Sequence, residues 1–202
     1  MLYDLSLSGL VTLLVSAVAL MASPGPTTVS ITATAAAFGL RRSLGYWAGI
    51  NIGTILVLLV VALGAAALLH EAPHLSFAVS LAATLYMIYL AWRIATAPPL
   101  SEVAAAARAP GWLAGLGLAV ANPKAYLAIG AVYAQSMLLA GRPVMDALLK
   151  CGLLALAIVA IHTLWALAGA SLTRLLSHPA AARVMNIALA CLLILIVLVG
   201  FL

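Results

Sequence analysis

The sequence is poor in charge. Nine basic and four acidic residues make up 6% of 202 positions, where a soluble domain carries roughly a quarter. No Lys or Arg precedes Arg41, so the opening segment lacks the basic region of a secretory signal, and with Pro24 directly after Ser23 it is expected to stay in the mature protein. The two cysteines, Cys151 and Cys191, lie in apolar runs and read as small buried hydrophobes rather than a disulfide framework or metal ligands. G-x-S-x-G does not occur, and the one H-E-x-x-H string, HEAPH at 70–74, has Pro73 inside it and falls in a breaker-rich connection rather than on the helix that motif needs. With no Asp or Glu expected inside a span, the sequence does not support an intramembrane enzyme. No catalytic residue, cofactor or metal is expected. The net charge is +5, but the basic residues stand singly between apolar runs, without the patch that nucleic-acid binding needs.

What the sequence has is apolar length. Hydrophobic residues make up 67% of it and the mean hydropathy is +1.27, and the longer runs approach the roughly 20 residues a helix needs to cross a bilayer. The short alternating segments of a membrane β-barrel are missing. The fold class expected is an all-α integral membrane protein with six transmembrane helices, over about 5–38, 43–68, 75–96, 112–140, 144–171 and 183–202. Basic residues mark cytoplasmic connections. The first, third and fifth connections carry or adjoin Arg41, Arg42, Arg93, Arg108, Arg174 and Arg183, against Arg142 and Lys150 in the second and fourth. Both termini are therefore expected on the outer, non-cytoplasmic side of the membrane.

Two stretches interrupt the apolar runs, SPGP at 23–26 and ANPKA at 121–125. They stand roughly a hundred residues apart. Each begins a stretch that ends near arginine and is followed by two further spans, so the chain divides into halves of about 1–96 and 112–202 around a cytoplasmic linker at about 97–111. Three spans per half would invert the second half relative to the first. Matched Pro- or Gly-interrupted spans in inverted halves point to a transporter whose site lies where the halves meet. The first span requires some break, since about 34 residues in one helix would make a rod of roughly 50 Å.

Ser and Asn are good N-caps and Pro is tolerated at the first helical position, so Ser23-Pro24 and Asn122-Pro123 both read as helix starts. Such starts would present the amides of Gly25, Thr27, Lys124, Ala125 and Tyr126 at the positive end of a helix dipole, a setting that attracts a carboxylate. Lys124, about 18 Å into its span at helical rise, is too central to reach either surface easily, and a charge there marks a functional position. Its roles would be to pair with a substrate carboxylate or to carry a proton. Proline also kinks membrane helices without making a site, and Lys124 would sit at an interface if its span began later. Both readings stay open at the level of sequence.

The ordered set of SPGP, the glycines Gly39, Gly45, Gly49 and Gly53, LYMIYLAWR at 85–93 and ANPKAYL at 121–127 resembles the lysine exporter (LysE/RhtB) family of bacterial amino-acid exporters. The resemblance covers nearly the whole chain. It implies export of amino acids or close derivatives, coupled to the proton motive force, and maps the family's Pro-Gly-Pro onto Pro24, Gly25 and Pro26 and its Asn-Pro-Lys onto Asn122, Pro123 and Lys124. The chain departs from the family at Asn51 and Thr54, where many members carry an acidic residue.

The expected function is alternating-access export of a small amino-acid-like solute from the lipid bilayer-embedded chain, with a homo-oligomer left open. The substrate site is expected to comprise Pro24, Gly25, Pro26, Thr27, Thr28, Asn51, Asn122, Pro123, Lys124 and Tyr126. Asn51, Asn122 and carbonyls freed at the breaks are the acceptors for a substrate ammonium. His162, near the middle of its helix, is the proton-relay candidate, although a membrane histidine more often bonds a neighbouring helix. Ser30, Thr32 and Thr34 are set aside as bonding their own backbone. The rival reading is a channel or structural membrane subunit, which would need neither a central Lys124 nor matched breaks.

Overall fold

The computed structural model describes residues 5–64 and 109–175, together with isolated helical positions within 81–96 and 183–195. The third and sixth expected spans, the 70–74 connection and most of the 97–111 linker lie outside or mostly outside the described residues. Among the described residues every regular element is helical: α1, Leu7–Ser16, continued by a π-helical turn, Ala17–Met21; α2, Pro26–Phe38; α3, Leu40–Ala62; α4, Trp112–Val120; α5, Pro123–Gln135; and α6, Pro143–Leu175.

The lengths sort these helices into two kinds. Leu40–Ala62 and Pro143–Ser171 are each long and apolar enough to cross a membrane alone. The others form bent pairs: α1 with its π turn meets α2 at 62°, and α4 meets α5 at 61°. The pairs bend at SPGP and at ANPKA, and each is followed by a long helix at least in part, so broken span then straight helix occurs twice among the described residues. Each bend has its cause in the chain, since a proline at the first position of α2 and of α5 has no N–H to continue the preceding ladder.

Small residues set the packing. A Cβ on Gly49 would collide with the Trp112 carbonyl, one on Gly115 with the Tyr46 carbonyl, and one on Gly169 with the Thr32 carbonyl. The backbones of α3 and α4, and of α2 and α6, therefore touch at these places, as expected of membrane helices that associate through small residues. As a result α2 is enclosed, with all residues from Thr27 to Phe38 buried. Within it Ser30 and Thr32 donate to the carbonyls of Thr27 and Thr28, as expected for hydroxyls in a membrane helix. The α2–α3 connection is shorter than the GLRRS stretch implied: only Gly39 is non-helical, at φ 78, a left-handed conformation glycine adopts without penalty.

Candidate functional site

The two breaks meet. Lys124, the second residue of α5, reaches across to the turn before α2, and its Nζ donates to the Ser23 carbonyl at 2.7 Å, the Ser23 hydroxyl at 2.9 Å and the Pro24 carbonyl at 2.7 Å. A lysine ammonium has three N–H donors, and here each has an acceptor. These acceptors exist because a helix end leaves its last carbonyls unpaired. The rest of that end is also closed: Ser23 Oγ donates to the Leu20 carbonyl at 2.7 Å, and Trp165 Nε1 of α6 donates to the Ala22 carbonyl at 3.2 Å.

Two expectations about the breaks need correction. Ser23 does not cap α2. Gly25 does, with Pro26 at the first helical position, and Ser23 instead closes the preceding turn. Nor are three of the five amides bare as expected. Gly25 N–H donates to Thr28 Oγ1 at 2.9 Å, Lys124 N–H to Asn122 Oδ1 at 3.1 Å, and Ala125 N–H to the Asn122 carbonyl at 3.0 Å. The chain caps its own helix starts, and the positive group at the junction is the Lys124 ammonium. Asn122-Pro123 does start α5 in the expected way, with Asn122 as N-cap and Pro123 next.

Gly25 is extended, at φ −166, a conformation open to any residue. What it provides is room: a Cβ there would lie 2.7 Å from Lys124 Cδ and 2.8 Å from its Nζ, so an alanine would displace the end of the lysine side chain. The glycine between the two prolines is the space through which the lysine stem passes.

Around this junction lies a cavity of about 30 Å³, room for an ordered water or two and too small for an amino acid. Gly25, Thr27, Thr28, Asn122, Lys124 and His162 of the expected residues line it, together with Ser23, Thr54 and the apolar Leu20, Met21, Ala128, Ile129, Ile158 and Ile161. Pro24, Pro26 and Pro123 shape the turns beside it. Asn51 stands one step back: its Nδ2 donates to the Trp47 carbonyl at 2.8 Å, and its Oδ1 lies 3.1 Å from His162 Nδ1. With the Asn51 amide so oriented, Oδ1 accepts, Nδ1 carries the hydrogen and Nε2 is left as an acceptor. Tyr126 is spent elsewhere, its hydroxyl donating to the Val120 carbonyl at 3.0 Å.

Sequence reasoning overlooked two groups. Trp165 bonds across the break, and Asp146 is a buried carboxylate inside the 144–171 span, contrary to the expectation that no Asp or Glu falls in one. Asp146 Oδ2 pairs with Lys150 Nζ at 2.9 Å, and Oδ1 accepts from the Leu138 and Leu139 amides at 2.6 and 2.9 Å. Lys150 also donates to the Tyr133 and Ser136 carbonyls and lies 4.1 Å over the Tyr133 ring. Lys150 is thus a buried helix residue and not the loop charge it was counted as. A charge four residues after an acid was the signal available.

The family model described as LysE type translocator matches residues 18–201. The chain belongs to the lysine exporter (LysE) family of amino-acid exporters. Like the rest of that family it is a membrane translocator and not an enzyme. It is 30% identical over 174 residues to the cysteine/O-acetylserine efflux protein of Salmonella typhimurium, covering 85% of this chain and 87% of that one. It is 32% identical over 155 residues to the protein so named in Klebsiella pneumoniae, covering 76% and 78%. No solved structure matches the chain.

Proposed function

We propose that this LysE-family protein exports small neutral amino acids or close derivatives by alternating access, using the junction of the two broken spans as its substrate site. The observation that carries this reading is the contact of Lys124 with the Ser23–Pro24 turn, which joins the two interruptions around one cationic group. A substrate carboxylate would pair with Lys124, with the Thr27 hydroxyl beside it. The cavity lining holds no carboxylate among the described residues, and its walls are short or aliphatic, which favours a short neutral side chain over a cationic one. The names of the curated relatives, efflux proteins for cysteine and O-acetylserine, point the same way. The small cavity corresponds to a closed state that the substrate must open.

The architecture proposed with it is two inverted three-helix halves, supported by the repeated order of bent pair and long helix and by the residue types at both breaks. Both termini are proposed to be periplasmic, the protein lying in the bacterial inner membrane. With Lys150 buried beside Asp146, the basic residues supporting that orientation outnumber those opposing it more clearly, since only Arg142 remains on the other side. Drive by the proton motive force, with His162 as relay, is supported by the buried contact of His162 with Asn51 next to the cavity. The test is to load proteoliposomes with labelled cysteine, O-acetylserine, leucine and lysine, impose a pH gradient and follow their loss. Protein-dependent, protonophore-sensitive loss of the small neutral solutes is expected. Loss of none of them, or ion flux far above carrier rates, would overturn the reading.

A further inference from the structure

A zwitterion needs acceptors for its ammonium as well as a partner for its carboxylate, and the two asparagines expected to supply them are already engaged. Asn51 Oδ1 faces His162, and Asn122 Oδ1 accepts from the Lys124 amide. The turn between α1 and α2 offers a better set. The Ser23 carbonyl, Ser23 hydroxyl and Pro24 carbonyl converge on one point within 2.7–2.9 Å, and the group at that point is a primary ammonium.

We infer that this three-oxygen cluster is the binding site for the ammonium of the exported amino acid, and that Lys124 fills it as a built-in stand-in until a substrate carboxylate draws the lysine away. Resting on the export reading above, the exchange makes both ends of the substrate necessary. A carboxylate without an amine would pull Lys124 off and leave the Ser23 and Pro24 carbonyls unpaired, at a cost of roughly tenfold in affinity or more. An amine without a carboxylate would find the place taken. A molecule with both replaces every bond it breaks. The lysine's own geometry supports the exchange: its side chain is half-buried and its contact with Pro24 lies at the exposed edge of the cluster, so it can leave without disrupting the helices.

The prediction separates this site from transport itself. In purified Lys124→Ala the cluster is vacant, and methylammonium chloride should raise the melting temperature saturably, by about 3–6 °C at ten times its dissociation constant. Tetramethylammonium chloride at equal concentration, which has no N–H to donate, should not. The wild-type protein should respond to neither. Lys124→Ser likewise removes the ammonium without filling the cluster and should show the same response to methylammonium, which covers the case in which Lys124→Ala does not fold. No methylammonium effect on either folded variant, or an equal effect on wild type or from tetramethylammonium, overturns the inference. An export-competent wild type with unresponsive variants would sink the ammonium site alone, whereas responsive variants with no wild-type export would sink the export reading and leave the cluster standing.

Discussion

Gly25 and Lys124, 99 residues apart in the chain, are fitted to each other: a methyl group on the glycine would lie 2.7 Å from the lysine Cδ. The first break supplies carbonyls and a gap, and the second supplies the ammonium that enters it. Neither break has its full set of hydrogen bonds without the other, which is why an interrupted helix persists in each place where lipid would penalise unpaired backbone.

Gly25→Ala should therefore cut export at least tenfold, measured as initial efflux from proteoliposomes at equal protein. Gly130→Ala is the matched control. A Cβ at Gly130 meets nothing within 4 Å, and replacing a glycine inside a helix should leave transport intact and stabilise by about 0.5–1 kcal/mol.

The contact between His162 and Asn51 joins α6 to α3 in a buried setting. His162→Leu strands Asn51 Oδ1, at a cost of about 1–3 kcal/mol. The double variant His162→Leu, Asn51→Leu should recover part of that loss. Thermal unfolding of the four proteins of this cycle measures the coupling. If His162 relays the proton, His162→Gln should lose efflux driven by a pH gradient yet retain exchange of labelled for unlabelled substrate.

The Asp146–Lys150 pair ties the start of α6 to the segment after α5. Removing one partner leaves a buried charge, so Asp146→Asn or Lys150→Met should each destabilise by about 3–5 kcal/mol. The combination Asp146→Asn, Lys150→Met should destabilise by less than the sum of the singles. Melting in detergent at equal detergent concentration checks this, and simple additivity would mean the pair contributes no coupling.

What was legible in the sequence follows the range of the interactions. Asn122-Pro123 as a helix start, the breaks themselves and the hydroxyls of Ser30 and Thr32 bonding backwards are decided within a turn of helix, and single-chain rules reach that far. The role of Ser23 was misjudged because two helix ends compete for it: it follows α1 and precedes α2, and only the position of Lys124 shows which end it serves. Trp165 donating to the Ala22 carbonyl joins residues far apart in the chain, and nothing local to either announces it. Asp146 falls within the 144–171 span by sequence alone and should have been counted there; what the sequence does not show is its burial, which depends on how the chain turns after Gln135, where α5 ends and the 136–142 connection folds back over the start of α6. The glycine in SPGP was legible as a motif but not as a space, since the side chain that fills the space comes from the other half of the chain.

The central claim is that Lys124 at the meeting of the two breaks handles the substrate, and Lys124 is where it is most directly tested. Initial rates of labelled cysteine or O-acetylserine efflux should be compared in proteoliposomes holding equal amounts of folded wild type, Lys124→Ala and Lys124→Arg. The account predicts loss of at least a hundredfold in Lys124→Ala and only partial retention in Lys124→Arg, whose planar fork does not match a three-oxygen cluster shaped around an ammonium. Wild-type rates in Lys124→Ala would contradict it.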